Sequence, residues 1–242
     1  MSTQALALSC GIQLQTDWPL PCPLPGIWLS STDFEPTQLD LRDFERLGIA
    51  VPRGVPKRQA EYLAGRCCAR ESLLQLTGQP TIPGKTADRA PCWPPGVVGS
   101  ITHTHGWAAA MTAWASDWQA LGLDAEILMS TARADHLARE ILTPGEYAHY
   151  RNQPESQRGF LATLTFSLKE SLFKALYPLV GKHFYFQDAE LLTHTLDGQA
   201  RMRLLLDLSA QWRTGSELTG QFALQDERLL SLIAVPTNRP TA

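Results

Sequence analysis

The chain has 242 residues, of which 44% are hydrophobic and 19% charged, and its formal net charge is -3 at neutral pH. This length allows one large domain or two small ones, each with a buried core. The composition is that of a globular protein, and the slight negative charge excludes a general attraction to nucleic acid or to an anionic membrane. We therefore expect no nucleic-acid partner and no membrane association.

Cysteine usage and the N-terminus indicate the cellular compartment. Five cysteines stand at unrelated spacings without a Cys-x-x-Cys pair, which argues against a zinc site and favours reduced thiols. The N-terminus has no basic segment followed by a long apolar run, so we expect no signal peptide. The apolar stretch Ala108–Ala115 is too short to cross a bilayer. These features predict a cytoplasmic protein.

The first half of the chain predicts one long helix followed by strands. Pro56 precedes the helix, and apolar residues recur along it with helical spacing until Gly78. On a neighbouring face, basic side chains recur at Arg58, Arg66 and Arg70. The predicted elements are a strand over Gly26–Ser30, the helix over Lys57–Gln75 and, after a loop rich in Pro and Gly, strands over Val97–Thr102, Trp107–Ala115 and Gln119–Ala125.

The second half predicts two helices and an antiparallel sheet. Ser130 is typical of a helix N-cap, and we expect Pro144-Gly145 to end that helix. The next helix carries an apolar side and is expected to end at Pro178 and Gly181. The predicted elements are helices over Ala132–Ile141 and Gln157–Tyr177 and strands over Phe184–Leu192, Arg201–Leu206, Gly220–Leu224 and Leu229–Val235. We expect the tail Pro236–Ala242 to be frayed.

The two halves share a coarse order, a long helix and then a run of strands, although no sequence repeat relates them. We therefore predict an α+β fold of two similar lobes. Each lobe is a long helix packed on a small antiparallel sheet, and a pseudo-twofold relates them with the active site in between. The N-terminal lobe would span residues 1–116 and the C-terminal lobe residues 117–242.

Two carboxylates stand at the end of a predicted strand. Residues i and i+2 of a strand point to one face, so Asp124 and Glu126 project together. Their mutual repulsion beside a buried strand requires a compensating cation or arginine. Two such oxygens with phosphate and water make a normal Mg²⁺ site. The alternative is a solvated strand end, which Asp-x-Glu alone would favour.

Glu170 and Lys174 stand four residues apart on the longest predicted helix and share a face. The alternative to a functional pair is a surface ion pair worth about 0.3–0.5 kcal/mol. Apolar neighbours place the pair beside apolar surface, whereas we expect Lys169 to be a solvated charge. His103, at a predicted strand end, is either a functional residue or a buried core histidine. The arginine stripe is either a phosphate site or a solvated face.

Three segments, taken as an ordered set, resemble the 4'-phosphopantetheinyl transferases of the monomeric two-lobed type that activates siderophore and surfactin synthetases. That family carries a Ser-His block, then Gly-(Ile/Val)-Asp-x-Glu, then Trp-Ser-x-Lys-Glu-(Ala/Ser)-x-x-Lys. The segments here are Ser100-Ile101-Thr102-His103, Gly122-Leu123-Asp124-Ala125-Glu126 and Phe166-Ser167-Leu168-Lys169-Glu170-Ser171-Leu172-Phe173-Lys174. Upstream, Lys57–Arg66 and Trp93–Gly96 resemble the enterobactin-synthetase branch. Phe166 keeps an aromatic ring where the family has Trp, and Thr102 keeps a hydroxyl where Ser is common.

The resemblance implies transfer of 4'-phosphopantetheine from coenzyme A to a serine of an acyl or peptidyl carrier protein by a monomeric enzyme. It implies that Asp124, Glu126 and Glu170 hold Mg²⁺ with the diphosphate. Glu170 would also be the base, and Lys174 would assist the departing phosphate. The implied coenzyme contacts are Thr102 and His103, with Arg46, Arg58 and Arg66 near the 3'-phosphate and Arg89 near the adenine.

Two other functions compete with this one. A non-catalytic module that binds coenzyme A or carriers would have lost at least one of four ionisable residues, and none is lost. These are Asp124, Glu126, Glu170 and Lys174. A Mg²⁺-dependent diphosphate hydrolase would use the same carboxylates and would cleave coenzyme A without a carrier. Carrier docking is expected near the long helix, where Phe160, Leu172 and Phe173 offer apolar contacts unless they pack in the core.

Overall fold

Two main antiparallel sheets, of three and five strands and each covered by one long helix, make up most of the fold, and a third sheet has only two strands. The computed structural model describes residues 10–86 and 90–237, and these ranges hold ten strands and five α-helices. In chain order they are β1 (Ile27–Asp33), α1 (Arg42–Arg46), α2 (Pro56–Thr77), β2 (Gly84–Lys85), β3 (Pro91–Cys92), β4 (Val97–Thr104), β5 (Trp107–Trp114), β6 (Trp118–Ile127), α3 (Thr131–Ile141), α4 (Pro144–Arg151), α5 (Glu155–Val180), β7 (Ala189–His194), β8 (Gln199–Leu204), β9 (Glu217–Gln225) and β10 (Arg228–Pro236).

The smaller sheet has the strand order β1-β5-β4, and the larger one has the order β6-β10-β9-β8-β7. Helix α2 packs on β1 and β5, whereas α5 packs on β6 and β10. Strands β1, β5, β6 and β10 contribute to one shared apolar cluster, which includes Leu121 and Leu123. Because side chains alternate along a strand, Gly122 and Asp124 of β6 face α5 instead. One strand therefore joins the sheets on one face and meets the long helix on the other.

The edge of β6 is held by hydroxyl groups of β4. The backbone N–H of Leu123 donates to Ser100 Oγ, and that of Ala125 donates to Thr102 Oγ1, each over 3.0 Å. Both hydroxyls are buried. A buried strand edge needs such partners because unpaired backbone donors are costly away from water. The Ser-His block therefore links the two sheets.

A glycine lets α5 approach β6 closely. A Cβ atom placed on Gly122 would lie 1.8 Å from the carbonyl oxygen of Ser171 and 2.7 Å from the backbone N of Ala175. Both contacts are with helix backbone, which a side-chain rotation cannot relieve. The glycine of the Gly-x-Asp-x-Glu motif is therefore required by packing, and it sets how near the helix comes to the carboxylates.

The α+β class and most of the predicted elements are confirmed, with boundaries shifted by a few residues. Ser130 caps α3 as predicted, because its hydroxyl accepts from the Arg133 N–H. Leu172 is fully buried in the core and offers no surface contact. In the described ranges, no helix is both long enough and apolar enough to cross a bilayer.

Three of the predicted ends are wrong. Pro144, which was expected to end α3, is the first residue of α4. Thr143 before it and Glu146 after it form a capping box that starts this helix. Pro178 lies inside α5, which ends at Gly181 with φ 62°. The strand expected from Phe184 begins at Ala189, after a short 3₁₀ turn.

The C-terminal tail and Lys169 also differ from expectation. Pro236 ends β10 rather than fraying, and the Thr237 N–H donates to Asp117 O, while residues 238–242 lie outside the described range. Lys169 is only 3% exposed, not solvated. Its Nζ lies 2.6 Å from Glu146 Oε2 and 2.8 Å from Ile141 O. The partner belongs to α4, the helix that the sequence analysis did not predict.

Substituting Gly122→Ala should destabilise the protein by about 3 kcal/mol or more, because the added methyl group collides with the α5 backbone. The free energy of unfolding in urea measures this. Gly145→Ala is the matched control, since a Cβ there meets nothing within 4 Å. It should change stability by less than about 0.5 kcal/mol. Equal stability of the two variants would show that α5 does not depend on this contact.

Candidate active site

A cleft of about 1270 Å³ lies along the contact between the two halves of the fold. Residues of α2, β4, β6 and α5 line it. Positive side chains stand on the side of the first half, and the carboxylates of β6 stand on the other side. The ionisable residues of the lining are Arg53, Arg58, Glu61, Arg66, Lys85, His103, Asp124, Glu126, Lys174 and His183.

Asp124 is buried and fully engaged. It is 4% exposed, and its Oδ1 accepts from Lys174 Nζ at 2.6 Å while its Oδ2 accepts from Ser167 Oγ at 2.8 Å. The same ammonium group donates to Leu123 O at 3.1 Å. A buried carboxylate is stable only with such a partner and such hydrogen bonds. The structure therefore brings Asp124 and Lys174 together across the β6–α5 contact.

Serine hydroxyls lock the register of α5 against β6 and β10. Ser231 of β10 pairs with Asp124 in the sheet register. Its Oγ lies 2.8 Å from Ser167 Oγ and 2.8 Å from Ser171 Oγ, and Ser171 Oγ also donates to Ser231 O over 3.0 Å. All three hydroxyls are buried. Since Glu170 lies between two of these serines on α5, the network also fixes the position of its backbone.

The three predicted carboxylates lie near enough to influence one another. Burial raises the pKa of Glu126 to about 7, and the charges of Asp124 and Glu170 add to that rise. Burial likewise raises the pKa of Glu170, and Asp124 raises it further, against the opposing effect of Lys174. Carboxylates that raise one another's pKa require positive charge, and Lys174, which lowers the pKa of both glutamates, supplies part of it.

Among residues 10–86 and 90–237, no group of three or more His, Cys, Asp or Glu side chains is arranged so that it could hold a metal ion. Glu170 lines a smaller neighbouring cavity of about 220 Å³. Phe173 and His183 line both spaces and therefore form the wall between them. Glu170 thus stands beside the main cleft, with Lys174 on the side of the cleft itself.

The predicted coenzyme ligands divide into three groups. Arg58, Arg66 and His103 line the cleft together. Thr102 also borders it, but its hydroxyl accepts the Ala125 N–H and so holds β6. Arg46 lies on α1 instead, with its Nη1 2.8 Å from Asp43 Oδ1. Arg89 falls outside the described residues.

Arg66 has the properties of an anion ligand. It is 4% exposed, and its guanidinium lies over the ring of Tyr62 at 4.8 Å. In the described part of the chain, its Nη1 has no hydrogen-bond partner. An unsatisfied buried donor costs about 1–3 kcal/mol, and more when it is charged. An anion that enters the cleft at this point would remove that cost.

Some functional neighbours were missed by the sequence analysis. Glu61 reaches His103 from α2, with 3.7 Å between Oε2 and Nδ1, and lies 3.6 Å from Arg58 Nη1. Its i+3 spacing from Arg58 on the predicted helix was the available signal. Ser231 gave no signal, because its role depends on the pairing of β10 with β6.

Both halves of the fold match models of one enzyme family. Residues 47–113 match the family model of the 4'-phosphopantetheinyl transferase N-terminal domain, and residues 120–229 match that of the 4'-phosphopantetheinyl transferase superfamily. Together these matches cover most of the chain. The first covers α2 and the strands up to β5, and the second covers most of the segment from β6 to β10.

Three curated relatives agree with these matches. The 4'-phosphopantetheinyl transferase Svp of Streptomyces mobaraensis is 36% identical over 79% of this chain and 78% of its own length. The transferase PptT of Mycobacterium tuberculosis is 32% identical over 70% and 72%, and enterobactin synthase component D of Escherichia coli K12 is 35% identical over 63% and 72%. The chain belongs to the 4'-phosphopantetheinyl transferase superfamily and is a transferase of that kind.

The raised pKa of Glu126 makes stability depend on pH in the metal-free protein. The folded state binds this proton more tightly than the unfolded chain, whose carboxyl has its ordinary pKa near 4.5. Stability should therefore fall as pH rises from about 4.5 through about 7, by about 1–2 kcal/mol after allowance for solvent screening.

Urea unfolding in the presence of a chelator, at a series of pH values, measures this loss. Glu126→Gln removes the titrating group and should flatten the profile, although Glu170 leaves a remainder. Glu140→Gln, an exposed position on α3, is the control and should behave as wild type. Parallel profiles for wild type and Glu126→Gln would show that Glu126 does not titrate as described.

Proposed function

We propose that this protein transfers 4'-phosphopantetheine from coenzyme A to a serine hydroxyl of a carrier protein and releases adenosine 3',5'-bisphosphate. The observation that carries the proposal is the cleft in which Arg58, Arg66 and His103 face Asp124 and Lys174. Coenzyme A has a 3'-phosphate at one end, which suits the basic side chains. Its diphosphate, in the middle of the molecule, would meet the carboxylates through a bound cation. The names of the relatives support the same reaction.

We further propose two similar lobes related by a pseudo-twofold, divided at residues 116 and 117. The division falls in the turn between β5 and β6, where the chain passes from one sheet to the other. One long helix on each sheet supports the similarity of the lobes. The N-terminal lobe would bind the 3'-phosphate and adenine, and the C-terminal lobe would carry the carboxylates.

For the coenzyme, Arg58, Arg66 and His103 are the proposed ligands. The unpartnered Nη1 of buried Arg66 supports a phosphate contact, and we assign the 3'-phosphate to it. Thr102 would act by holding β6 beside the coenzyme through the Ala125 N–H. Arg46 and Arg89 remain candidates from the sequence alone.

The proposed ligands of a divalent cation such as Mg²⁺ are three carboxylates. Asp124, Glu126 and Glu170 are hard oxygen donors from β6 and α5, and the negative charge of Asp124 raises the pKa of both glutamates, as expected of a site short of positive charge. These three residues would hold Mg²⁺, which neutralises negative charge on the diphosphate when bound.

The chemistry of the protein itself follows from two side chains on one turn of α5. Glu170 would accept the proton of the carrier serine as its oxygen attacks the β-phosphorus, and burial, which raises the pKa of Glu170, makes its carboxylate a stronger base. Lys174 would place its ammonium beside the bridging oxygen that leaves with the nucleotide. The new P–O bond joins the β-phosphorus to the serine, and the bond to the bridging oxygen breaks.

The carriers would be acyl or peptidyl carrier proteins of fatty-acid, siderophore or peptide synthesis, and we propose that the enzyme acts as a monomer in the cytoplasm. Phe160 and Phe173 are only partly buried and remain candidates for carrier contacts on the α5 side. The relatives named as enterobactin synthase component D support a role in siderophore synthesis.

A carrier-mass experiment tests the reaction. Coenzyme A, Mg²⁺ and an apo carrier are incubated with the protein, and the carrier should gain the mass of one phosphopantetheine group. A non-catalytic binding module would leave both carrier and coenzyme unchanged. A hydrolase would cleave coenzyme A in the absence of a carrier. An unmodified carrier in the presence of folded protein contradicts the transferase.

Glu170→Gln should reduce the rate of carrier modification by about 10²-fold or more, because the isosteric amide removes both the base and a cation ligand. Glu155→Gln is the matched control at an exposed position of the same helix, and it should keep the wild-type rate. The rate is read from the same mass assay under single-turnover conditions. A near-wild-type rate for Glu170→Gln would remove this residue from both proposed roles.

Arg66→Ala should raise the KM for coenzyme A by about tenfold, and by much less for 3'-dephospho-coenzyme A, because the lost contact is with the 3'-phosphate. Arg70→Ala, one turn further along α2, is the control for loss of a charge from that helix. Equal increases of KM for the two coenzymes would place Arg66 elsewhere than at the 3'-phosphate.

A further inference from the structure

Glu61 is a buried carboxylate in the cleft to which the proposed reaction gives no task. It lies on α2, is 9% exposed, and is one of the residues lining the cleft. Its Oε2 is 3.7 Å from His103 Nδ1 and 3.6 Å from Arg58 Nη1. The histidine therefore stands with a carboxylate on its Nδ1 side.

On its other side, His103 meets Arg58. The distance between Arg58 Nη1 and His103 Nε2 is 3.4 Å. A guanidinium group only donates, so Nε2 must offer its lone pair in this arrangement. The imidazole is then neutral, and its single proton lies on Nδ1, where it faces Glu61.

A phosphate that enters the cleft would require Nε2 to donate a hydrogen bond rather than to accept one. A phosphate oxygen accepts hydrogen bonds and also attracts the Arg58 guanidinium, so Nε2 must become a donor. A shift of the single ring proton to Nε2 would leave the Nδ1 lone pair against the Glu61 carboxylate. The ring therefore takes up a second proton, which gives an imidazolium with Glu61 behind it and phosphate in front. Glu61 is the one carboxylate whose ion-pair distance to this ring is within 4 Å in the described part of the chain.

We propose that Glu61 is a positioning residue for coenzyme binding: it orients His103 and stabilises the imidazolium that forms when a coenzyme A phosphate reaches Nε2. The inference rests on the proposed function, since it requires that His103 meets a phosphate. Binding of the coenzyme is then accompanied by uptake of a proton from solvent onto Nε2.

The charges around His103 agree with this role. Burial lowers the pKa of the free histidine, Glu61 raises it, and Arg58 lowers it, with smaller opposing effects of Lys174 from α5 and Asp124 from β6. The net lowering of its pKa agrees with the neutral ring that the contact with Arg58 requires. Affinity should be greatest below the pKa of the free ring and should fall as pH rises through the higher pKa of the complex.

Calorimetry of coenzyme A binding tests the inference without turnover. The full-length protein is titrated at about pH 7.5 in two buffers of different ionisation enthalpy, at constant Mg²⁺. The wild-type binding enthalpy should differ between the buffers as expected for uptake of up to about one proton per coenzyme. His103→Gln in the same buffers gives the contribution of the coenzyme's own phosphates and of other groups, and the difference from wild type belongs to His103.

Glu61→Gln should lose most of that uptake and should weaken binding by about tenfold, the effect of one pKa unit. Glu61→Asp, which keeps the charge, should recover part of both. Glu71→Gln removes a charge from α2 away from the cleft and should match wild type. Far-UV circular dichroism checks that each variant is folded. If Glu61→Gln does not fold, the proton uptake of Glu61→Asp and of His103→Gln is compared with that of wild type instead.

Equal proton uptake by wild type and His103→Gln, or by wild type and Glu61→Gln, would overturn the inference. In both cases coenzyme A still binds, so the proposed function stands. A wild-type protein that shows no binding heat and no carrier modification would instead overturn the proposed function.

Discussion

The contact of α5 with β6 at Gly122 is the constraint on which the site depends. The helix lies so close to the strand that a single methyl group would collide with its backbone. That approach brings Lys174 within 2.6 Å of Asp124 and allows Ser167 to donate to the same carboxylate. Helix position and carboxylate position are therefore set by one contact, and a shift of either would separate the charged groups.

The cleft also depends on how the two sheets meet. Ser100 and Thr102 on β4 accept hydrogen bonds from β6, while His103, the next residue, faces Arg58 and Glu61 of α2. Side chains that alternate along β4 thus connect the basic side chains of α2 to the strand that carries the carboxylates. Because these groups belong to a short segment, the distance between the basic side of the cleft and its carboxylates is set mainly by backbone geometry.

Much of this arrangement could be predicted from the sequence because it depends on local periodicity. The i, i+2 spacing of Asp124 and Glu126 placed both on one face of a strand, and the apolar pattern of α5 placed its buried side correctly. The resemblance to the family then indicated that the three motifs belong to one site. The matches to the family models confirm that the chain belongs to this family.

The features that could not be predicted depend on contacts between distant residues. Lys169 was expected to be solvated, but its carboxylate partner Glu146 lies 23 residues earlier on a helix whose start was read as a stop. The expectation for Thr102 concerned the coenzyme alone and did not include the bond that its hydroxyl accepts from Ala125 N–H at the buried edge of β6. Neither pairing leaves a trace in local sequence, since each depends on how complete elements pack.

In the proposed reaction, carboxylates from β6 and α5 would converge on one divalent cation beside the coenzyme diphosphate. Anomalous scattering from crystals grown with Mn²⁺ and coenzyme A tests it most directly. We expect one ion with oxygen ligands from Asp124, Glu126 and Glu170 at about 2.0–2.3 Å and a diphosphate oxygen in the same shell. An ion bound elsewhere, with the coenzyme in the cleft and these three carboxylates unliganded, would contradict the account.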